Sequence, residues 1–339
     1  MSDLISVIIP VYNVEKYVEK TVLSILNNAY PNIEVICVND GSTDNSLAVL
    51  QAIAQTDERV KVFDKQNGGV TSARLYGLEQ ARGTWISFID GDDTIDTDMY
   101  ERLIANVTAE DIDISHCGYK KYFWTEDVRY YYNTGKKLEQ DTYTGCKDLL
   151  EGVFIEPGLV NKLYKRELFI GLNEWLDSSI KMNEDLLMNF YLFRKSRKSV
   201  YEDFCPYNYV VRWGSASTSH IREFMLYDPI RVADLLIGEL SNEAELQWIV
   251  QKRLVALLIN GATYIADGHH DIVKPFRKYA LKRLKEKRKE ILSNKQYSKK
   301  IRLSTIWVCL WPASYRWAHI LYGIMTGKRK KYNGATLWY

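Results

Sequence analysis

Over its first ninety residues the chain alternates short apolar runs with stretches whose apolar residues recur at helical spacing. Ile5 to Val11 is the first run and ends at Pro10-Val11-Tyr12-Asn13. In residues 14–26, Val14, Tyr17, Val18, Val22, Ile25 and Leu26 keep a helical period, with Asn13 as the expected N-cap. A second run over 33–38 stops at Asn39-Asp40-Gly41-Ser42-Thr43-Asp44, and Leu47, Leu50 and Ile53 mark the next helix. A third run, 60–63, leads to the loop Gln66-Asn67-Gly68-Gly69-Val70 and a helix over 71–81 closed by Gly83. The fourth run, 85–89, ends in Asp90-Gly91-Asp92-Asp93. Such alternation predicts a parallel sheet with helices on both faces and right-handed crossovers.

The pattern then loosens. A helix over 99–107 and strands over 112–117 and 128–132 predict a mixed extension of the sheet. Helices over 145–154 and 184–195 flank Gly158 to Tyr164, and a strand over 199–211 is interrupted by Pro206. The Ser/Thr-rich stretch 215–219 reads as a linker, and helical patterns over 225–240 and 243–265 follow. Two domains are expected, 1–215 as an α/β domain and 216–339 as a mainly helical, basic region.

Composition changes that picture in two ways. The net charge of +2 hides an asymmetry: residues 274–339 hold 18 Lys/Arg against only Glu286 and Glu290, leaving the rest strongly acidic. A basic tail suggests an anionic partner. The five cysteines, at 37, 117, 146, 205 and 309, are odd in number and form no CxxC pair, which fits a reducing cytoplasm. The first strand begins at Ile5 with no signal-peptide pattern ahead of it, so a cytoplasmic location is expected.

The candidate chemistry sits where the strands end. In open α/β sheets, strand C-termini converge on one ligand-binding edge. Here that edge would gather Tyr12, Asp40 and the acidic loop. Asp90 and Asp92, two apart around Gly91, suit a hard cation such as Mg²⁺ or Mn²⁺, which keeps coordination positions for phosphate oxygens. The plainer reading of the hexapeptide alone is an acidic turn. No GxxxxGK[ST] loop and no GxGxxG turn is present.

Several stretches together resemble the family 2 inverting glycosyltransferases of bacterial polysaccharide type, which have the A-type nucleotide-sugar fold. They are Val7 to Asn13, Val38 to Asp44, Asn67 to Val70 with Ala73-Arg74, Ala81-Arg82-Gly83, Phe88 to Asp93, Asn161 to Tyr164 and Asn183 to Leu186. The resemblance covers residues 4–215. It implies a Rossmann-like, mixed but mostly parallel sheet and transfer of a hexose from a UDP-sugar to a saccharide or lipid-linked glycan. By the same resemblance Pro10, Val11, Tyr12, Asp40, Asn67, Arg74, Asp90 and Gly91 line the donor. Asp40 would accept the uracil imide N–H, Tyr12 would line the base, and Arg74 would reach the ribose or diphosphate. Asp92, with Asp90 as ligand or second partner, would hold Mn²⁺ or Mg²⁺, and His220 is a further candidate ligand. Asp185 is the candidate base and Glu184 the runner-up. Lys162 reads equally as a phosphate or acceptor contact and as a surface lysine. The Arg212-Trp213 pair lacks the glutamine of processive enzymes, so a single addition is expected.

The tail adds a partner. Residues 274–302 read as a cationic helix, and 301–325 mix Trp307, Trp311, Trp317 and aliphatic residues around Pro312 and Arg316. A spanning helix needs about 20 mostly apolar residues, whereas Trp-rich amphipathic helices flanked by cations suit the headgroup region of an anionic bilayer. Docking on the inner membrane face is one expectation. Packing of these aromatics on the catalytic domain, or on a second subunit in a homodimer, is the other. A nucleotidyltransferase would carry a glycine-rich, cationic loop at Pro10 to Asn13, and a nucleic-acid binder would carry more than a run of lysines.

Overall fold

The apolar runs become the parallel half of a ten-stranded sheet. A computed structural model describes residues 3–123, 127–172, 177, 179–211, 221–264 and 270–325. Strands β1 (Ile5–Val11), β2 (Ile33–Asp40), β3 (Val60–Lys65) and β4 (Trp85–Phe88) alternate with helices α1 (Val18–Leu26), α2 (Ser46–Ala54) and α3 (Val70–Gln80). All eight residues of β2 are buried, as expected for a strand covered on both faces. Each fully buried Val or Ile there contributes about 1.5–3 kcal/mol. Helix α3 lies close on β1 because Gly77 has no side chain: a Cβ there would sit 2.4 Å from Ile8 Cγ2.

The sheet continues through β5 (Thr94–Ile95), α4 (Met99–Ala105), β6 (Ile112–Tyr122), β7 (Val128–Tyr130), β8 (Lys137–Asp141) and α5 (Thr142–Glu151). It closes with β9 (Lys162–Lys165), a 3₁₀ turn over Arg166–Phe169, α6 (Glu184–Lys195) and β10 (Lys198–Val210). Spatial order is β3-β2-β1-β4-β9-β6-β10-β5, with β7 on β6 and β8 on β10. Strand β9 runs antiparallel to both β4 and β6, while β6 and β10 are parallel to each other. The sheet is therefore mixed and mostly parallel, the α/β architecture expected.

Two local expectations are corrected. Helix α1 starts at Val18, not Val14. Asn13 takes a left-handed backbone (φ 52°) and accepts the Thr43 N–H at 2.8 Å, so it stitches two loops rather than capping a helix. Pro206 does not break β10. The strand absorbs it as an irregularity, its register against β6 shifting between Glu202 and Tyr207.

All five cysteines are free and buried. Burial pushes the Cys37 thiol up to about 12 and that of Cys205 up to about 11.

The chain divides into two compact units, residues 1–219 and 220–339. The second contains α7 (Glu223–Glu239), α8 (Ala244–Ala262), α9 (His270–Ser293), α10 (Lys299–Leu310) and α11 (Pro312–Met325). Its core packs Leu236, Leu254, Leu258, Ala280, Leu284 and Val308, with Trp248 against Tyr297 at 4.5 Å. Arg283 pairs with Asp234 at 2.9 Å. Among the described residues, no helix is long and apolar enough to cross a membrane.

Candidate active site

Parallel register brings the strand ends level. Ile8 stands opposite Phe88 and Val11 opposite Asn39, so Pro10–Tyr12, Asp40 and Asp90 emerge along one edge. Asp40 is buried, and its carboxylate accepts from Lys65 Nζ (2.7 Å), Gly68 N (2.9 Å) and Gly69 N (2.7 Å). Asn67 Nδ2 donates to the Asp40 carbonyl at 2.9 Å. Two carboxylate oxygens offer about four lone-pair sites, so this anchored acid keeps acceptor capacity for a ligand. Lys65 was not foreseen. Its only signal was a lysine ending the strand beside the one that ends in Asp40.

The acidic loop is fixed from several sides. Asp93 is buried and accepts from Tyr207 Oη (2.5 Å) and Val210 N (2.7 Å), which ties the loop to β10. Burial, and then the charges of Asp90 and Asp92, push the Asp93 carboxyl well above the usual carboxylate range. Gly91 supplies clearance rather than a left-handed turn: a Cβ would meet Pro10 O and Val14 Cγ2, both at 3.2 Å. Thr21 Oγ1 also donates to Gly91 O at 3.1 Å.

Helix α6 delivers the remaining acids. Asn183 precedes it with φ 64°, and Glu184 and Asp185 occupy its first turn. Between this turn and the acidic loop lies Arg74 of α3, only 6% exposed at its side chain, 3.0 Å from Asp90 Oδ1 and 3.9 Å from Glu184 Oε1. One guanidinium thus pairs with acids from both elements, Asp90 and Glu184, and the charge of Asp185 adds to theirs in raising its pKa. Burial raises the Asp185 carboxyl, against Arg74 and the Leu186 N–H (2.8 Å), which lower it. Burial thus opposes the position at a helix N-terminus, which favours the ionised acid. Glu184 is pushed up to about 7 by burial and by Asp185, with Arg74 pulling the other way.

That shift has a measurable consequence. A carboxyl whose folded pKa lies above its unfolded value contributes stability at low pH that is lost as pH rises through the folded value. Glu184→Gln removes the ionisation, so its Tm relative to wild type is expected to rise between pH 5.5 and pH 8. Parallel Tm curves for the two proteins would contradict the assignment.

Opposite Asp185 runs the loop 156–161. Lys162 is fully buried, and its Nζ donates to the carbonyls of Gly158 (2.7 Å) and Glu156 (3.0 Å) and to Asn161 Oδ1 (3.0 Å). The surface-lysine reading is thereby excluded. Burial lowers its ammonium to about 8, against the charge of Glu156. Asn189 of α6 donates to the carbonyls of Pro157 (2.5 Å) and Gly158 (3.0 Å). Gly158 lies beside Asp185: a Cβ there would come within 3.9 Å of Asp185 Oδ2. Glu156, which accepts from Tyr119 Oη, and Asn189 were not singled out from sequence.

Of the other expected residues, Pro10 is half-buried, Val11 buried and Tyr12 exposed at the sheet edge. His220 and Arg212-Trp213 lie outside the described residues. Among the described residues, no group of three or more His, Cys, Asp or Glu could hold a metal by itself. The all-oxygen donor set and the like-charge crowding of Asp90 and Asp92 on Asp93 still fit a hard divalent cation. Mg²⁺ is usually bound through one or two carboxylates plus substrate phosphates.

Known proteins resemble this chain in sequence and in fold. The profile of Glycosyl transferase family 2 matches residues 6–171. The glycosyltransferase EpsJ of Bacillus subtilis, itself uncharacterised, is 36% identical over 204 residues, 58% of this chain and 58% of its own. Glycosyltransferase GlyA of Streptococcus pneumoniae is 30% identical over 273 residues, 77% of this chain but 38% of its own. Glycosyltransferase GlyG of the same organism is 34% identical over 223 residues, 59% of this chain and 73% of its own. The chain thus spans little more than half of the first relative and less than half of the second. In fold, it superposes on S. aureus TarS in complex with UDP-GlcNAc with a TM-score of 0.66 and 18% identity, covering 97% of this chain and 94% of that one. On the profile match, the shared sequence and the common sheet, this chain belongs to glycosyl transferase family 2.

Proposed function

We propose that the chain is a metal-dependent, inverting glycosyltransferase. It moves a hexose from a UDP-sugar to a hydroxyl of a saccharide or lipid-linked glycan, in cell-surface polysaccharide synthesis. The observation that carries this reading is the meeting of the acidic loop and the α6 acids on Arg74, beside the anchored Asp40. A donor-side acid and an acceptor-side acid are thereby held at one place.

Asp40 accepts the imide N–H of uracil with its remaining lone pairs, and the exposed ring of Tyr12 lines the base. Asp92, with Asp90, would hold Mn²⁺ or Mg²⁺, which when bound supplies positive charge against the leaving diphosphate. Asp185 takes the proton of the acceptor hydroxyl as that oxygen attacks the anomeric carbon opposite the departing UDP. The bond from carbon to phosphate oxygen breaks, the new glycosidic bond forms, and the configuration inverts. Glu184 orients the acceptor or shares the proton, its raised affinity for one suiting either role. Arg74 keeps the three carboxylates compatible in so small a volume. The UDP-GlcNAc bound by TarS makes that sugar nucleotide the first donor to try.

The test is a panel of nucleotide sugars with Mn²⁺, scored for UDP release. One UDP-sugar is expected to turn over, and Asp92→Ala to slow it by about 10²-fold or more. If no nucleotide binds and Asp92→Ala changes nothing, the acidic loop is structural and the proposal fails.

A further inference from the structure

Helices α10 and α11 turn an apolar face to water. On α10 and its C-cap, Leu303, Trp307, Leu310 and Trp311 are exposed, while Val308 and Cys309 are buried. On α11, Trp317, Leu321 and Met325 recur every four residues and are 62%, 57% and 84% exposed. The stripe is held in place, not frayed. Trp307 Nε1 donates to Ser314 Oγ at 2.7 Å, and its ring meets Tyr315 edge-on at 5.3 Å. Exposed apolar residues in a stripe along a helix mark an interaction site.

Cations border the stripe. Lys299, Lys300 and Arg302 open α10. Arg277 of α9 lies near enough to Arg316 of α11 that burial and the second guanidinium together push its pKa below the ordinary arginine range. Among the described residues neither helix is long enough to span a bilayer: α10 covers 12 residues and α11 covers 14, against the ~20 required. Exposed tryptophan, leucine and methionine edged by lysine and arginine complement one occupant, the headgroup and upper acyl region of an anionic lipid layer.

We propose that the α10–α11 face docks this protein in-plane on an anionic bilayer, with Trp311, Trp317, Leu321 and Met325 entering the interface. The inference concerns binding alone and does not depend on the transferase reading.

Full-length protein is mixed with vesicles of phosphatidylcholine alone and of phosphatidylcholine with phosphatidylglycerol, and the bound fraction is measured by flotation. Binding is expected to the anionic vesicles, with a blue shift of tryptophan emission. The combined variant Trp311→Ser, Trp317→Ser, Leu321→Ser is expected to lose about ten-fold or more in partitioning. Lys299→Glu with Lys300→Glu should lose about as much, and salt should weaken the wild type similarly. Since these side chains are exposed, each variant should retain UDP affinity, read alongside as a check of fold. Equal partitioning to both vesicle types would overturn the proposal. So would unchanged binding of the apolar variant, or a wild-type dimer that ignores vesicles and becomes monomeric in that variant, which would assign the face to a second copy of the chain. Wild-type protein that binds vesicles but no UDP would leave this inference standing and remove the catalytic one.

Discussion

Asp185→Asn is expected to reduce sugar transfer by about 10²–10⁴-fold while leaving UDP affinity unchanged. The substitution is nearly isosteric and removes only the group that takes the acceptor's proton. Asp185, in the first turn of α6, lies beside Gly158 and makes none of the contacts that anchor Asp40. Because burial already raises this carboxyl's affinity for a proton, a neutral amide should fold at least as well as the acid. A soluble variant of undiminished Tm that still binds UDP and no longer transfers would fix the loss on the chemical step. Retention of full transfer activity would move the base to Glu184 or elsewhere.

Arg74→Met is expected to have the largest effect on stability. The methionine fills the volume but leaves Asp90, Glu184 and Asp185 without the cation that faces them all. Removing one partner of a buried ion pair costs about 3–5 kcal/mol. Asp90 is about a third open to water, so screening brings the cost below that range, to about 2–3 kcal/mol. A thermal melt at pH 8 should show Tm lower by about 5–10 °C. Acidification should narrow the gap, because protonated acids no longer need the guanidinium. A variant as stable as wild type at pH 8 would show that Arg74 does not hold the site together.

How far the sequence reveals this arrangement depends on the range of the interactions. Strands β1, β2 and β4 announce themselves because both faces are buried, so each is an apolar run bounded by polar residues, and the edge strand β3 shows itself through Val60, Val62 and Phe63. Strand β8 does not: it pairs only with β10, and of Lys137–Asp141 only Gln140 is buried. Strand β9 is hidden for the opposite reason. It begins with a lysine, and nothing local tells that Lys162 finds carbonyl partners for its ammonium inside the protein. At the site, Asp40, Asp90 and Asp92 are legible as acids ending strands, and Glu184-Asp185 as acids opening a helix. That residues 74, 90 and 184 share one ion cluster is a product of tertiary packing. Arg74, expected to contact the donor, is also paired with acids inside the protein.

The buried thiols bear on how this protein can be handled at the bench. Cys37, Cys117, Cys146, Cys205 and Cys309 are all enclosed, and burial raises the Cys37, Cys117, Cys205 and Cys309 thiols above their ordinary range. Maleimides and spin-label reagents attack the thiolate, so the native cysteines are shielded from them while the fold is closed. A cysteine introduced on an exposed side chain would then be the reactive one. Single-site fluorophores or nitroxides can thus be attached at chosen positions on either unit without first stripping the protein of its own sulfur.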